Sequence, residues 1–240
     1  MELLLFSGGD MSPYRDRVLA EIAAIVGDAG TLYFAPYALA NHDWYTERVR
    51  TGFAPPGVRV VGLHTISDPR AALEAAEVVF VGGGNSFRLL KALQDLDLVE
   101  VIHRRVEAGQ LRYLGASAGS NMACPSLRTT NDMPIVQPRS FAALDLLPFQ
   151  INPHYVEGSS SPGGETRDTR LAEFLEENDV AVLGLREGAW LRRSGKRLRL
   201  EGVAGAKLLR RGGPPEEFDP GANLSWLLNL TPRFDVGPEG

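Results

Sequence analysis

Short apolar runs alternate with helix-like patterns along the first half of the chain. In residues 15–26, Val18, Ile22, Ala23 and Val26 recur with the spacing of one helix face. Further helices are predicted at residues 86–94, at 98–108, and from the Asp68-Pro69 pair, an N-cap followed by proline. The apolar runs that predict strands are residues 2–6, 31–34, 58–63, 78–81 and 111–114.

Strands separated by helices of this length predict βαβ units and a mostly parallel sheet. The runs are continuously apolar rather than alternating, which predicts a sheet covered on both faces. We therefore expect a three-layer α/β fold, formed by a single domain over residues 1–240. After residue 186 the runs shorten, and those at 189–193, 197–201 and 207–209 predict antiparallel strands that extend one edge of the same sheet.

Composition and charge narrow the function classes. The 240 residues are 44% hydrophobic and 23% charged, with a net charge of −5, which is ordinary for a globular protein. Basic residues concentrate only around Gly195, between two apolar runs, and this predicts an exposed hairpin turn rather than a nucleic-acid site. The members of that basic group are Arg192, Arg193, Lys196, Arg197 and Arg199.

The single cysteine, Cys124, excludes an intrachain disulfide and favours a reducing compartment. The apolar run at residues 2–6 is too short for a signal segment or a membrane span. We therefore expect a cytoplasmic protein, monomeric or homodimeric, that binds neither nucleic acid nor membrane.

A G-x-S-x-G pattern at residues 115–119 places Ser117 between a predicted strand and a short predicted helix at 118–123. A nucleophilic serine of this type sits on a sharp strand-to-helix turn, and small neighbours allow the backbone to bend that tightly. The alternative is a small-residue turn with a capping serine. The surrounding elements favour a serine hydrolase with Ser117 as its nucleophile.

A serine nucleophile needs a base, and the chain has four histidines. His154 follows the apolar run 146–151 and precedes a Gly/Ser-rich loop at 157–164, so it is predicted at a strand end, where parallel sheets bind ligands. It is the preferred base. The other histidines are interpreted as structural: His42 in a loop or helix start, His64 at the end of a strand, and His103 on the surface of a helix.

Two carboxylates compete to orient the imidazole. Glu187 follows the apolar run 180–185 at a glycine turn, and Asp132 lies in a polar loop after the helix that carries Ser117. Each also has a plain structural interpretation, as a solvated turn residue or as an Asx-turn residue. The residues alone leave both open.

The glycine turn 82–84, followed by Asn85, again links a strand to a helix. Its spacing fits neither nucleotide-binding glycine motif, so we interpret it as a second oxyanion donor beside Ser117, with a tight packing turn as the alternative. Arg167 borders the 157–164 loop and is a candidate for a bidentate contact with a substrate carboxylate. Arg170 is interpreted as a solvated helix residue. No cluster of side chains has metal-ligand spacing, and we expect no metal and no cofactor.

These residues resemble peptidase E, the α-aspartyl dipeptidase family of serine peptidases. The resemblance is carried by MELLLFS at the start, Asp68-Pro69, VGGGNSF at 81–87, GASAGSNMACPSLRTTNDMPIV at 115–136, ALDLLPFQINPH at 143–154, GETR at 164–167 and LREGAW at 185–190. It implies a fold like that of class I glutamine amidotransferases. The turn at residues 7–10, the 157–164 loop and the region after residue 195 depart from the pattern.

The resemblance also implies roles for individual residues. It implies a triad of Ser117, His154 and Glu187, with Asp132 assisting His154 or replacing Glu187. The N–H groups of Gly84 and Ala118 would bind the oxyanion, and Asn85, Ser86 and Arg167 would hold the carboxylate and amine of a substrate with N-terminal aspartate. The sequence-based alternatives are a cyanophycinase-like peptidase or an esterase on the same scaffold, or a non-catalytic module that binds a small molecule or nucleotide.

Overall fold

The computed structural model describes residues 1–8, 14–158 and 164–237. The helices are α1 Arg15–Val26, α2 His42–Gly52, α3 Pro69–Ala75, α4 Ser86–Asp95, α5 Leu98–Glu107, α6 Ala118–Met122 and α7 Arg167–Glu177. The strands are β1 Glu2–Phe6, β2 Thr31–Ala35, β3 Arg59–Gly62, β4 Val78–Val81, β5 Arg112–Ala116, β6 Gln150–Tyr155, β7 Val182–Arg186, β8 Ala189–Ser194, β9 Arg197–Gly202, β10 Ala206–Leu209 and β11 Glu216–Phe218. Short 3-10 helices cover Leu63–Thr65 and Ser225–Asn229.

The larger sheet has seven strands in the order β3-β2-β4-β5-β1-β8-β9. The first five are parallel to one another, and β8 and β9 add an antiparallel hairpin at the β1 edge. This confirms the prediction of a mostly parallel sheet flanked by helices. The basic residues around Gly195 lie where the hairpin was expected, since β8 ends at Ser194 and β9 begins at Arg197.

The residues of β1 alternate between two apolar cores, one on each face of the larger sheet. Leu3 and Leu5 belong to the core that includes α3, α4, α5 and α6, whereas Leu4 and Phe6 belong to the core that includes α1 and α2. All four side chains are at most 2% exposed. Burying a side chain of this size stabilises the fold by about 1.5–3 kcal/mol, so the uninterrupted apolar runs reflect a sheet covered on both faces.

The expectation that all the late strands extend this sheet is wrong for β10. It pairs with β7 in a second sheet of four strands, ordered β11-β10-β7-β6, which packs against the core on the α4–α6 side. The chain crosses between the sheets at the two-residue turn Glu187-Gly188, because β7 lies in the small sheet and β8 in the large one. This crossing places Glu187 at the junction of the two sheets.

Helix positions differ from the predictions in three places. In α1 the buried residues are Val18, Ile22, Ile25 and Val26, so Ile25 takes the position that was predicted for Ala23. Helix α2 was predicted only as one of two alternatives for His42, since Thr46 and Val49 are its only buried residues and the rest of its sequence is polar or aromatic. The sequence pattern predicts a helix over residues 169–178, whereas α7 begins two residues earlier, at Arg167, because the Thr166 side chain caps it by accepting the N–H of Thr169.

None of the helices in the described part of the chain is both long and apolar enough to span a membrane.

Candidate active site

Ser117 occupies the turn between β5 and α6 and has a strained backbone, with φ 54° and ψ −111°. Two glycines make that turn possible. A Cβ atom at Gly115 would lie 2.6 Å from the carbonyl oxygen of Gly119, and one at Gly119 would lie 2.0 Å from that of Val81. Side chains are therefore excluded at both positions, and the chain turns sharply enough to present the Ser117 hydroxyl beyond the strand end. The strand runs two residues further than the pattern predicted, up to Ala116.

The three residues of the predicted triad meet in space. Ser117 Oγ lies 2.8 Å from His154 Nε2, and His154 Nδ1 lies 3.0 Å from Glu187 Oε2. A proton on Nδ1 donates to the Glu187 carboxylate and leaves the Nε2 lone pair to accept the Ser117 hydroxyl. The imidazole and the carboxylate are each nearly half exposed, so a substrate in solvent can reach them.

His154 is the second-last residue of β6, Gln150–Tyr155, so it lies at a strand end as predicted, although the strand begins four residues later than the apolar run 146–151. Its backbone has a φ of 53°, and the pairing of β6 with β7 shifts register between Pro153 and Tyr155. The extra residue in this irregularity is His154. A bulge of this kind re-aims one side chain out of the regular pleat, and here that side chain is the imidazole.

The end of β1 contacts all three residues. The carbonyl of Phe6 accepts the N–H of Ser117 at 3.0 Å. The Ser7 hydroxyl accepts the N–H of His154 at 2.9 Å. A Cβ at Gly8 would lie 2.1 Å from both carboxylate oxygens of Glu187, so a glycine leaves the space that the carboxylate fills.

The sequence predicts only a turn at residues 7–10. Gly9 and Asp10 of that turn lie outside the described residues. The available signal for Ser7 was its position at the carboxyl end of a parallel strand, where ligand-facing groups collect.

Asp132 contacts α4 instead of His154. Its Oδ2 accepts the backbone N–H of Ser86 at 2.7 Å and the Ser86 hydroxyl at 2.6 Å. The imidazole nitrogen that Asp132 was expected to share, Nδ1, faces Glu187. Of the two alternatives left open by the sequence, the geometry favours Glu187 as the partner of His154.

Asn85 and Ser86 hold the glycine turn against the loop that carries Asp132. Asn85 Oδ1 caps α4 by accepting the N–H of Arg88 at 3.0 Å, and its Nδ2 donates to the carbonyl of Met133 at 2.9 Å. The Ser86 side chain is fully buried, and its hydroxyl also lies 3.4 Å from Asn121 Nδ2, one turn along α6 from Ser117. These contacts join the turn, the loop and the helix of the nucleophile into one unit.

Of the four backbone N–H groups at residues 82–85, three have an acceptor. Gly82 donates to Ala35, Gly83 donates to the Tyr45 hydroxyl at 2.7 Å, and Asn85 donates to Ala38. The N–H of Gly84 has no acceptor within the described ranges. Gly84 and Ser117 line the same cavity, so this N–H is available beside the nucleophile.

Ala118, the second predicted oxyanion donor, is the first residue of α6. The Ser117 carbonyl accepts the N–H groups of Ser120 and Asn121, the next ones along the helix that find a partner. The N–H of Ala118 itself has no acceptor in the part of the chain that the structure describes. Neither predicted oxyanion donor thus has an acceptor among the described residues.

Arg167 begins α7 and carries an unsatisfied buried donor. Its Nη1 is buried and has no hydrogen-bond partner among residues 1–8, 14–158 and 164–237. Burial lowers the pKa of the guanidinium, as does Arg170, while the negative charge of Asp132 acts in the opposite direction. A buried donor without a partner costs free energy unless a ligand acceptor meets it, so the Nη1 of this half-buried guanidinium suits a carboxylate.

Arg170 pairs with Glu165 at 2.5 Å and is exposed, as expected. Residues 159–163, most of the loop that follows His154, lie outside the described residues.

The other three histidines make structural contacts. His42 begins α2, as one of its two predicted positions allowed. His64 lies in a 3-10 helix rather than at a strand end, and its Nε2 is 2.9 Å from Asp43 Oδ1. His103 is partly buried rather than on the surface, because its Nδ1 lies 2.7 Å from the Leu144 carbonyl oxygen. Within the described ranges, no three His, Cys, Asp or Glu side chains are grouped as metal ligands.

Comparisons with known proteins agree on one family. A family model described as "Peptidase family S51" matches residues 3–201. A Streptomyces coelicolor protein named "Peptidase E" is 53% identical over 241 residues, covering 99% of this chain and 99% of that protein. A Drosophila melanogaster protein named "Probable alpha-aspartyl dipeptidase" is 48% identical over 200 residues, covering 82% of this chain and 83% of that protein.

A solved structure shows the same fold. The crystal structure of a peptidase from an acI-B1 Actinobacterium superposes with a TM-score of 0.67 at 16% identity, covering 93% of this chain and 96% of that one.

Proposed function

This chain belongs to peptidase family S51, and on that premise we propose that it hydrolyses dipeptides with an N-terminal aspartate through Ser117, His154 and Glu187. The family and its curated relatives make it a serine dipeptidase; the substrate and the residue roles are the proposal. The observation that carries the roles is the chain of contacts from Ser117 Oγ to His154 and on to Glu187, at 2.8 and 3.0 Å.

The reaction is an acyl transfer. His154 Nε2 takes the hydroxyl proton as Ser117 Oγ attacks the carbonyl carbon of the peptide bond, and Glu187 stabilises the imidazolium that forms. The N–H groups of Gly84 and Ala118 bind the tetrahedral oxyanion. His154 then gives the proton to the leaving amine, the peptide bond breaks, and water hydrolyses the aspartyl ester on Ser117 with His154 as the base.

Recognition of aspartate rests on the charges beside Ser86. The unsatisfied Nη1 of Arg167 supplies a donor for the side-chain carboxylate of the substrate. The nearby carboxylate of Asp132 supplies a negative charge for the α-ammonium group. A pocket that fits the short aspartate side chain against the Arg167 guanidinium rejects asparagine, which lacks the charge. It also rejects glutamate, whose side chain is one methylene longer.

The test is a dipeptide panel of Asp-Leu, Asn-Leu and Glu-Leu, run on wild type, Ser117→Ala and Arg167→Ala. We expect Ser117→Ala to lower kcat by more than about 10³-fold without loss of fold by circular dichroism. Arg167→Ala should raise KM for Asp-Leu about 30- to 100-fold, because a charge-assisted contact of about 2–3 kcal/mol is lost. Arg170→Ala, three residues along the same helix, is the matched control and should leave KM unchanged. Equal wild-type rates on all three dipeptides would contradict the aspartate site.

A cytoplasmic location is part of the same proposal. The buried, unpaired thiol of Cys124 supports it, because unpaired thiols are usual in reducing compartments.

A further inference from the structure

A cavity of about 290 Å³ opens beside Ser117, and its walls differ in character from the Arg167 region. It is lined by Leu39, Trp44, Tyr45, Arg48, Val49, Phe53, Phe80, Gly83, Gly84, Ala116, Ser117 and His154. Its size lies at the lower limit for ligand pockets, about 300–1,000 Å³. The cavity therefore has room for about one amino-acid residue.

The cavity touches the groups that would meet the leaving amine. Ser117, His154 and Gly84 all contribute to its lining. In an acyl transfer the amine departs next to the imidazole, since His154 Nε2 must protonate it. A space bordered by both the nucleophile and the base therefore lies on the path of the second residue of the substrate.

The walls of the cavity suit an apolar side chain. Helix α2 contributes Trp44 and Tyr45, and Phe53 follows its end. The Tyr45 ring packs edge-on against Phe34 with centroids 4.9 Å apart, and its hydroxyl accepts the N–H of Gly83. Trp44 lines the cavity and is 52% exposed, so its ring is accessible to a ligand side chain.

Arg48 adds a positive charge at this cavity. Its guanidinium lies over the Trp44 ring at 5.4 Å, and the described residues offer it no acidic partner within ion-pairing distance. A dipeptide ends in a free α-carboxylate on its second residue, one residue away from the bond that breaks. An arginine at the rim is suited to bind that group.

We propose that this cavity is the leaving-group subsite: it takes an aromatic or large aliphatic second residue, and Arg48 binds that residue's free α-carboxylate. The inference rests on the proposed function, because it assumes that aspartate occupies the Arg167 region. It restricts the substrate class to dipeptides, since an amide or a longer chain removes the carboxylate from the reach of Arg48.

The test compares Asp-Phe, Asp-Gly and Asp-Phe-amide on wild type, Arg48→Gln and Trp44→Ala. We expect wild type to prefer Asp-Phe to Asp-Gly at least about tenfold in kcat/KM, from burial of the ring, and Trp44→Ala to lessen that preference. Arg48→Gln should lower kcat/KM for Asp-Phe about 5- to 10-fold through KM and leave Asp-Phe-amide unchanged. Arg50→Gln, on the same helix and paired with Glu47, is the matched control.

Other outcomes separate this subsite from the proposed function. An equal effect of Arg48→Gln on Asp-Phe and on its amide would overturn the subsite. A loss of the preference for aspartate over asparagine in Arg48→Gln would also overturn it, because it would place the first residue of the substrate in the cavity. Free phenylalanine, titrated into Ser117→Ala by calorimetry, gives a readout independent of turnover. If phenylalanine binding depends on Arg48 but the wild-type enzyme cleaves no Asp-Xaa dipeptide, the subsite is supported and the aspartate specificity is refuted. Phenylalanine binding that ignores Arg48 would refute the subsite.

Discussion

The hydroxyl of Ser7 accepts the backbone N–H of His154 at 2.9 Å and donates to the carbonyl of Leu185 at 2.6 Å. It therefore links the bulge that carries the imidazole to strand β7, the strand that leads into Glu187. A non-glycine residue at φ 53° costs about 1–3 kcal/mol and persists only where neighbouring groups hold it. Ser7 is fully buried, so no water replaces its hydroxyl, and we interpret it as a positioning residue for His154.

Replacing Ser7 with alanine removes both hydrogen bonds, the buried one to the Leu185 carbonyl and the partly buried one from the His154 N–H. We expect Ser7→Ala to lower kcat about tenfold with little change in KM, and to lower the free energy of unfolding by about 1–3 kcal/mol. Steady-state kinetics and urea denaturation measure the two effects. Ser126→Ala removes a buried hydroxyl that contacts Arg128 instead and should leave kcat intact. An unchanged kcat in folded Ser7→Ala would show that His154 does not depend on Ser7.

The roles of Glu187 and Asp132 can be distinguished kinetically, because we expect a change at Glu187 to lower kcat and a change at Asp132 to raise KM. Glu187→Gln keeps the shape of the side chain but removes the charge that stabilises the imidazolium, so we expect kcat to fall about 10²-fold or more. Asp132→Asn should chiefly raise KM, because Asp132 contacts Ser86 and its negative charge acts on the Arg167 guanidinium. Both variants are measured with Asp-Leu over a range of concentrations. The reverse pattern would assign the imidazole to Asp132.

Tyr45 supports the glycine turn by accepting the N–H of Gly83. Tyr45→Phe leaves the N–H of Gly83 without its acceptor, and the turn that aims the Gly84 N–H becomes less restrained. We expect kcat to fall about three- to tenfold, which corresponds to about 1 kcal/mol for one neutral hydrogen bond. Tyr33→Phe removes the same atom from the middle of β2 and is the control. Equal kinetics for both variants would contradict a role for Tyr45.

Asp168 fixes the first turn of α7, and thereby Arg167, to strands β6 and β10 of the small sheet. It accepts hydrogen bonds from the Tyr155 hydroxyl and from Lys207 Nζ. Burial acts to raise the pKa of Asp168, but these two contacts outweigh it, and the pKa lies below the ordinary value of 3.8.

A depressed pKa stabilises the fold above pH 3.8, and that contribution is lost as the pH falls through the folded-state pKa. We expect Asp168→Asn to lower the free energy of unfolding by at most about 1 kcal/mol at pH 7, since the carboxylate is 40% exposed. Urea midpoints of wild type and variant should converge as the pH is lowered below 3.8. A difference that stays constant down to pH 3 would contradict the role of this charge. KM for Asp-Leu should rise, because Arg167 loses its anchored helix.

The sequence pattern was sufficient to predict the parallel sheet and the nucleophile turn because both depend on neighbours in the chain. Apolar runs predicted β1, β4 and β5, and the glycines around Ser117 predicted the tight turn. The roles of Ser7 and Tyr45 were not predictable in this way. Ser7 acquires its role from His154, 147 residues away, and Tyr45 lies on a helix whose exposed face and aromatic residues hide the helical period. The second sheet was missed because β10 has the same local pattern whichever sheet it joins.

The first strand of the chain ends where Ser117, His154 and Glu187 converge, and this has a consequence for how the enzyme matures. The two hydrogen bonds of Ser7 close loops of 147 and 178 residues, and contacts of such long range form late in folding. During synthesis, a nascent chain that stops before β8 contains the nucleophile motif but has no partner for the far edge of β1. A product truncated before Glu187 lacks the acid of the triad as well, so it should carry the serine without its reactivity.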